Sequence, residues 1–98
     1  MRRVEYNTAE IMFLSGDVNY SEIYLIDGKK MLTSTTLSKH EERLDKFVRV
    51  NKKYLVNPKF VTEYRIEGRY MHITMTNGDH MKVSRRRVKN VLLSIVAV

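Results

Sequence analysis

The sequence predicts a mainly β domain with one short internal helix and a helical turn or two at its C-terminus. Two observations carry this. Short apolar or alternating runs recur along the whole chain, broken by the turn dipeptides Asp27-Gly28 and Asn77-Gly78. Only two segments, one near residue 40 and one at the C-terminus, carry apolar residues at helical spacing.

The first strand is read at Glu10-Ile11-Met12-Phe13-Leu14, whose last four residues are an unbroken apolar run suited to a buried position, ended by Ser15-Gly16-Asp17. Glu22 to Ile26 and Lys29 to Thr33 flank Asp27-Gly28 and read as a hairpin with a type I′ turn, both of whose central residues need positive φ. A helix is expected over Leu37 to Lys46. Ser38 and Glu41 offer a capping box, and Leu37, Leu44 and Phe47 form a sparse apolar stripe. Phe47-Val48-Arg49-Val50 and Tyr54-Leu55-Val56 follow as short strands split by Asn51-Lys52-Lys53, with Tyr54, Leu55, Val56 and Phe47 read as core. Asn57-Pro58 marks a turn before Phe60 to Ile66. Tyr70 to Thr76 and Asp79 to Val83 surround Asn77-Gly78 as a second hairpin, with Ile73 and Met75 on its dry face and His72, Thr74 and Thr76 on its wet one.

The 98 residues fit a single domain spanning 1–98, and the 43% hydrophobic and 30% charged fractions are those of an ordinary globular chain. Without cysteine, disulfides and thiolate metal sites are excluded. His40, His72 and His80 have no ligand spacing and read as structural or surface residues, so no metal and no cofactor is expected. Met1-Arg2-Arg3 opens no signal peptide, and Val91 to Val98 is too short to span a bilayer, so a cytoplasmic protein without a membrane partner is expected. No local nucleophile–base motif, phosphate-cradling glycine loop or carboxylate pair stands out, which argues against an enzyme with a small-molecule substrate.

Charge is distributed unevenly. The net charge is +7, but residues 1–45 balance at −2 and residues 46–98 at +9. Lys46, Arg49, Lys52, Lys53 and Lys59 form one acid-free run; Lys82, Arg85, Arg86, Arg87 and Lys89 form another. Two such clusters on one face point to a polyanion. The second is the more informative. Lys82-Val83-Ser84 runs from a strand into three arginines, and Val88, Val91, Leu92 and Ile95 then mark one helix face with Ser84 as its N-cap. That spacing places Arg85, Arg86 and Arg87 in the first helical turn. Cations are disfavoured there and anions favoured, so the arrangement suits an external phosphate. A solvated basic helix end is the plain alternative.

An Ile-x-Phe-Leu strand, a loop holding Asn19-Tyr20, an Asp-Gly hairpin and Thr35-Thr36-Leu37 opening a helix ended by Arg43-Leu44 occur in order. Then come Phe47-Val48-Arg49-Val50-Asn51-Lys52-Lys53-Tyr54-Leu55-Val56-Asn57 and the closing Ser84-Arg85-Arg86. This ordered series resembles the LytTR-type DNA-binding domain of bacterial transcription regulators over nearly the whole chain. The resemblance implies an elongated β fold of several small sheets that puts loops, rather than a recognition helix, into successive major grooves. The implied partner is double-stranded DNA in tandem or repeated sites, with a homodimer on the DNA. The implied contacts are Asn19, Tyr20 and Ser21 in the first loop, Asn51, Lys52 and Lys53 in the second, and Arg85 and Arg86 in the third. The chain departs from the common His-Arg-Ser at Asn51-Lys52-Lys53: lysine keeps the charge for phosphate but lacks the fork that arginine offers guanine. Family members commonly follow a receiver or membrane sensor, so the chain reads as a stand-alone regulator or a piece of a longer one.

Each residue also has a plain structural reading. Tyr20 can cover a loop, Asn51 can cap a tight turn beside solvated lysines, and Asn57 reads as structural. A single-stranded RNA or DNA binder of small-barrel type is the alternative function, and it requires Tyr20, Tyr24 and Tyr70 on one exposed face. A third is an interaction module dimerising through the apolar stretch Val91 to Val98.

Overall fold

A computed structural model describes residues 7–96. The readings of Met1-Arg2-Arg3 and of Ala97 and Val98 lie outside the described residues. Strands β1 (Ile11–Gly16), β2 (Ser21–Leu25), β3 (Lys30–Thr33), β4 (Val48–Arg49) and β5 (Tyr54–Val56) form a five-stranded sheet in the order β3-β2-β1-β5-β4. Strands β6 (Val61–Glu67), β7 (Tyr70–Met75) and β8 (His80–Val83) form a second sheet in chain order. Helix α1 (Leu37–Arg43) lies between β3 and β4, and α2 (Val88–Val96) closes the described chain. All the registered strand pairs are antiparallel. The molecule extends 48 × 26 × 21 Å, so the expected elongated, mainly β architecture is present, as two sheets.

The apolar run of β1 is central for a physical reason. Ile11 and Leu14 enter one core with Ile23, Leu55 and Leu37 of α1. Met12 and Phe13 enter the other, with Val50, Val56, Met71, Ile73, Met75, Met81, Val83 and Val91 of α2. A strand dry on both faces needs no alternation. A register shift between Ile11 and Phe13 adjusts the facing of this strand against β2. β7 alternates as expected, with Met71, Ile73 and Met75 buried and His72 and Thr74 half-buried. Gly16 lets β1 approach α1: a Cβ there would come within 2.7 Å of Leu37 Cβ.

Several local expectations are corrected. The two long hairpin turns are not type I′, because no non-glycine residue among those described has positive φ. Gly28 and Gly78 instead donate back to Leu25 and Met75 at 3.1 and 2.9 Å, with φ of 91° and 94°. This is the three-residue hairpin loop, whose one left-handed position falls on the glycine. Helix α1 begins at Leu37 but ends at Arg43, since Leu44 adopts ψ of 72° and turns the chain towards the core of Ile11, Leu14 and Leu37. Its cap is Thr36, whose hydroxyl accepts from Lys39 N at 3.4 Å, and not Ser38. Glu41, freed from the expected capping box, pairs with Arg49 instead. Ser84 occupies the expected cap position, but its side chain makes no capping bond. Arg85–Arg87 form a separate 3-10 turn ahead of α2 rather than its first turn. His40 is a core histidine, with Nε2 3.0 Å from Thr33 Oγ1. No described helix is long and apolar enough to cross a membrane.

Candidate nucleic-acid interface

Three connections carry the residues singled out by charge. The first, between β1 and β2, is a tight loop in which Asp17 N donates to Tyr20 O at 2.9 Å. Asp17 also accepts from Val18 N at 2.8 Å and from the Tyr20 hydroxyl at 3.3 Å. The Asp17 charge, and then this hydrogen bond, hold the Tyr20 phenol above its ordinary pKa, so it remains a neutral donor. Asn19 and Tyr20 are exposed. Ser21 is not: it is fully buried, and its hydroxyl donates to Thr35 O at 2.7 Å. It anchors the base of the loop and does not face outward.

The second connection, between β4 and β5, is organised by Asn51 and Arg49. Asn51 Oδ1 accepts from Lys53 N at 2.7 Å and Tyr54 N at 3.0 Å, while its amide donates to Lys82 O at 2.7 Å. Arg49 donates through Nε to Asn51 O and through Nη2 to Lys52 O, and its Nη1 meets Glu41 Oε1, each at 2.8 Å. A planar guanidinium can hold three acceptors of fixed direction at once; a flexible ammonium cannot. With the backbone held from within, Lys52 and Lys53 are left exposed. Lys53 Nζ lies 5.6 Å from the Tyr54 ring centre.

The third connection is the Arg85–Arg87 turn. Ser84 O accepts from Arg87 N and Ser84 N donates to Val50 O, each at 2.8 Å. Arg85 and Arg86 are exposed and Arg87 is half-buried.

The three connections adjoin. Gly16 N donates to Lys53 O at 2.8 Å, joining the first to the second. Ser84 N to Val50 O and Asn51 Nδ2 to Lys82 O join the second to the third. An open groove of about 710 Å³ is lined by Asp17, Val18, Tyr20, Arg49, Lys52 and Lys53, among others. A second, of about 380 Å³, is lined by Asn51, Tyr70, Lys82, Val83, Ser84 and Arg85. Asp17 and Glu22 make the first groove mixed in sign, whereas no acid lines the second. The positive field is therefore concentrated between the second and third connections.

Family-specific sequence comparison decides the class. A sequence profile of the LytTr DNA-binding domain matches residues 2–95. The chain belongs to that family. As a LytTr domain it is also similar in structure to the LytTr DNA-binding domain of a methyl-accepting/DNA response regulator from Bacillus cereus. The TM-score is 0.80 at 16% identity, covering 94% of this chain and 86% of that one. No curated protein matches the sequence. Thus the LytTr fold persists where most side chains differ.

Within this LytTr domain, Asn19, Tyr20, Asn51, Lys52, Lys53, Arg85 and Arg86 fall on the three adjoining connections, and Ser21 lies beneath them. Sequence reasoning missed the supporting roles of Arg49 and Glu41, and the place of Tyr70 and Lys82 in the second groove. Lys82 Nζ sits 4.5 Å from the Tyr70 ring centre, and strand alternation at Lys82 between buried Met81 and Val83 was the available signal. The three exposed tyrosines needed for a single-strand stacking surface are not assembled. Tyr24 is half-buried, stacked on Phe13 with ring centres 4.4 Å apart.

Proposed function

We propose that this LytTr domain binds double-stranded DNA in a sequence-specific manner, in the cytoplasm, as all or part of a bacterial transcription regulator. Its three connections enter successive major grooves along one face of the duplex, which favours tandem or repeated sites. One observation carries the reading: exposed Lys52, Lys53, Arg85 and Arg86 stand on loops joined to one another by main-chain and Asn51 hydrogen bonds. Charges fixed in mutual position suit a regular array of phosphates better than a diffuse polyanion. The lysines position the domain on phosphates, and Arg86 presents its fork to guanine O6 and N7.

Selection of bound duplexes from a random pool tests the reading. A recurring motif is expected, and duplex should outcompete single strands of the same sequence. Arg86→Ala should then cost about 1–3 kcal/mol on the selected site and much less on random duplex. Its Tm should stay nearly unchanged, because the Arg86 side chain is exposed. Preference for single strands, or an Arg86→Ala variant that binds normally, would overturn it.

A further inference from the structure

The outer edge of β6 is the most conspicuous surface that DNA binding does not use. β6 is seven residues long, and no described strand pairs with its far side. Tyr64 and Ile66 lie opposite Ile73 and Met71, both fully buried, so they stand on the core side of the sheet. Yet they remain 44% and 50% exposed, overhanging the rim of the core. Glu63 and Arg65 stand opposite Thr74 and His72 on the other face.

The free backbone groups are also identifiable. Glu67 and Tyr70 flank the two-residue turn Gly68-Arg69, so they are a hydrogen-bonded pair, as are Arg65 with His72 and Glu63 with Thr74 by alternation. Met75 N, bonded to Asp79 O towards β8, fits the same alternation. Hence the N–H and C=O groups of Tyr64 and Ile66 point away from β7. Long unpaired edges of this kind invite another strand.

We propose that β6 pairs antiparallel with β6 of a second copy about a twofold axis through Tyr64, joining the two three-stranded sheets into one of six strands. The charge order fits a second copy, and the strand's extent fixes the register. Centring on Ile66 also opposes Arg65 to Glu67 but carries the pairing into the Gly68-Arg69 turn, whereas centring on Tyr64 keeps it within β6. A twofold axis perpendicular to the sheet keeps both apolar faces on one side and allows only registers that oppose residues of the same face. Centring on Tyr64 sets Glu63 against Arg65 of the other copy, twice. Centring on Glu63 or on Arg65 sets like charges against each other, which is unfavourable. In the chosen register Tyr64 exchanges both main-chain bonds with its counterpart. The Glu63–Arg65 pairs then fall at non-hydrogen-bonded positions, where side chains approach most closely. Ile66 lies diagonal to the opposite Tyr64 and faces Thr62 at the end of the paired stretch, where β6 carries a register shift between Val61 and Glu63. Arg65, already 2.9 Å from Glu67 of its own strand, gains a second carboxylate. This dimer rests on the chemistry of β6 alone, so DNA binding and self-association fail or succeed separately.

Sedimentation equilibrium of the full chain without DNA, at low salt and rising concentration, reads the association. A monomer–dimer equilibrium is expected, with Tyr64 and Ile66 amide exchange slowing as concentration rises. Glu63→Arg alone and Arg65→Glu alone should each raise the dissociation constant about tenfold, since both symmetry-related pairs become like-charged. The double reversal restores opposite charges in both pairs and should recover the dimer, which a variant that merely misfolds would not do. A chain that stays monomeric at all concentrations overturns the proposal. So does a dimer indifferent to the reversals, as expected if α2 associates through exposed Leu93 and Val96.

Discussion

The Asn51 amide donates 2.7 Å to the carbonyl oxygen of Lys82, so one side chain closes its own loop and ties it to a strand of the other sheet. Its Oδ1 meanwhile satisfies Lys53 N and Tyr54 N. This asparagine acts through the backbone it holds and is a positioning residue for the lysines beside it. Asn51→Ala should therefore destabilise the domain by about 1–2 kcal/mol, because three hydrogen bonds are lost, of which the one to Tyr54 N is partly buried. Affinity should fall for specific and random duplex alike. Thermal melting alongside fluorescence anisotropy checks both; unchanged melting with lost specificity would make Asn51 a base reader instead.

Lys52→Ala and Lys53→Ala should each leave Tm nearly unchanged, since both side chains are exposed. Each should weaken binding to every duplex equally and flatten the salt dependence. If about six phosphates are neutralised in the parent, log affinity against log salt has a slope near −5, and each substitution should reduce it by about 1. A salt titration decides this. A parent slope shallower than about −2 would remove these charges from the binding surface.

Arg49→Lys should behave as a disruptive change despite keeping the charge. Lysine cannot span Asn51 O, Lys52 O and the Glu41 carboxylate together, and the loss should be about 1–2 kcal/mol. For a domain of this size that lowers Tm by roughly 4–8 °C per kcal/mol. Differential scanning calorimetry measures it; a variant as stable as the parent would mean that the loop is held without the guanidinium.

His40 should give the fold a pH dependence of defined sign. Burial pushes its imidazole below the ordinary value, and the Arg43 charge pushes the same way. The unfolded chain then binds the proton more readily. Stability from His40 is complete above about pH 6.5 and declines as pH falls from there through the lowered folded value. Urea midpoints measured across that window should drop for the parent and drop less for His40→Gln. Parallel profiles would show that His40 carries no linkage.

Strand positions were legible because their signals are local: Tyr54–Val56 is the strand read from the sequence, residue for residue. The central place of β1 was legible for the same reason, since an unbroken apolar run has nowhere else to go. Charge found Lys52, Lys53, Arg85 and Arg86 because exposed cations need no tertiary partner to be recognised. Arg49 and Glu41 were opaque because their roles exist only once α1 is folded against the β4–β5 connection. Ser21 was misplaced by proximity: it follows exposed Tyr20 but begins a strand, and alternation turns its hydroxyl inward to Thr35. Ser38 and Glu41 satisfied a capping pattern, yet Thr36 lay two residues earlier and captured the helix start.

The bonds Gly16 to Lys53, Ser84 to Val50 and Asn51 to Lys82 have a mechanical consequence for the complex. They set the spacing of the three connections before any partner arrives, so little loop ordering remains to oppose association. A stiff template cannot follow small variations in helical repeat, and the compliance must come from the duplex. Base pairs lying between the contacted segments should then influence affinity through how easily they bend, although no side chain touches them.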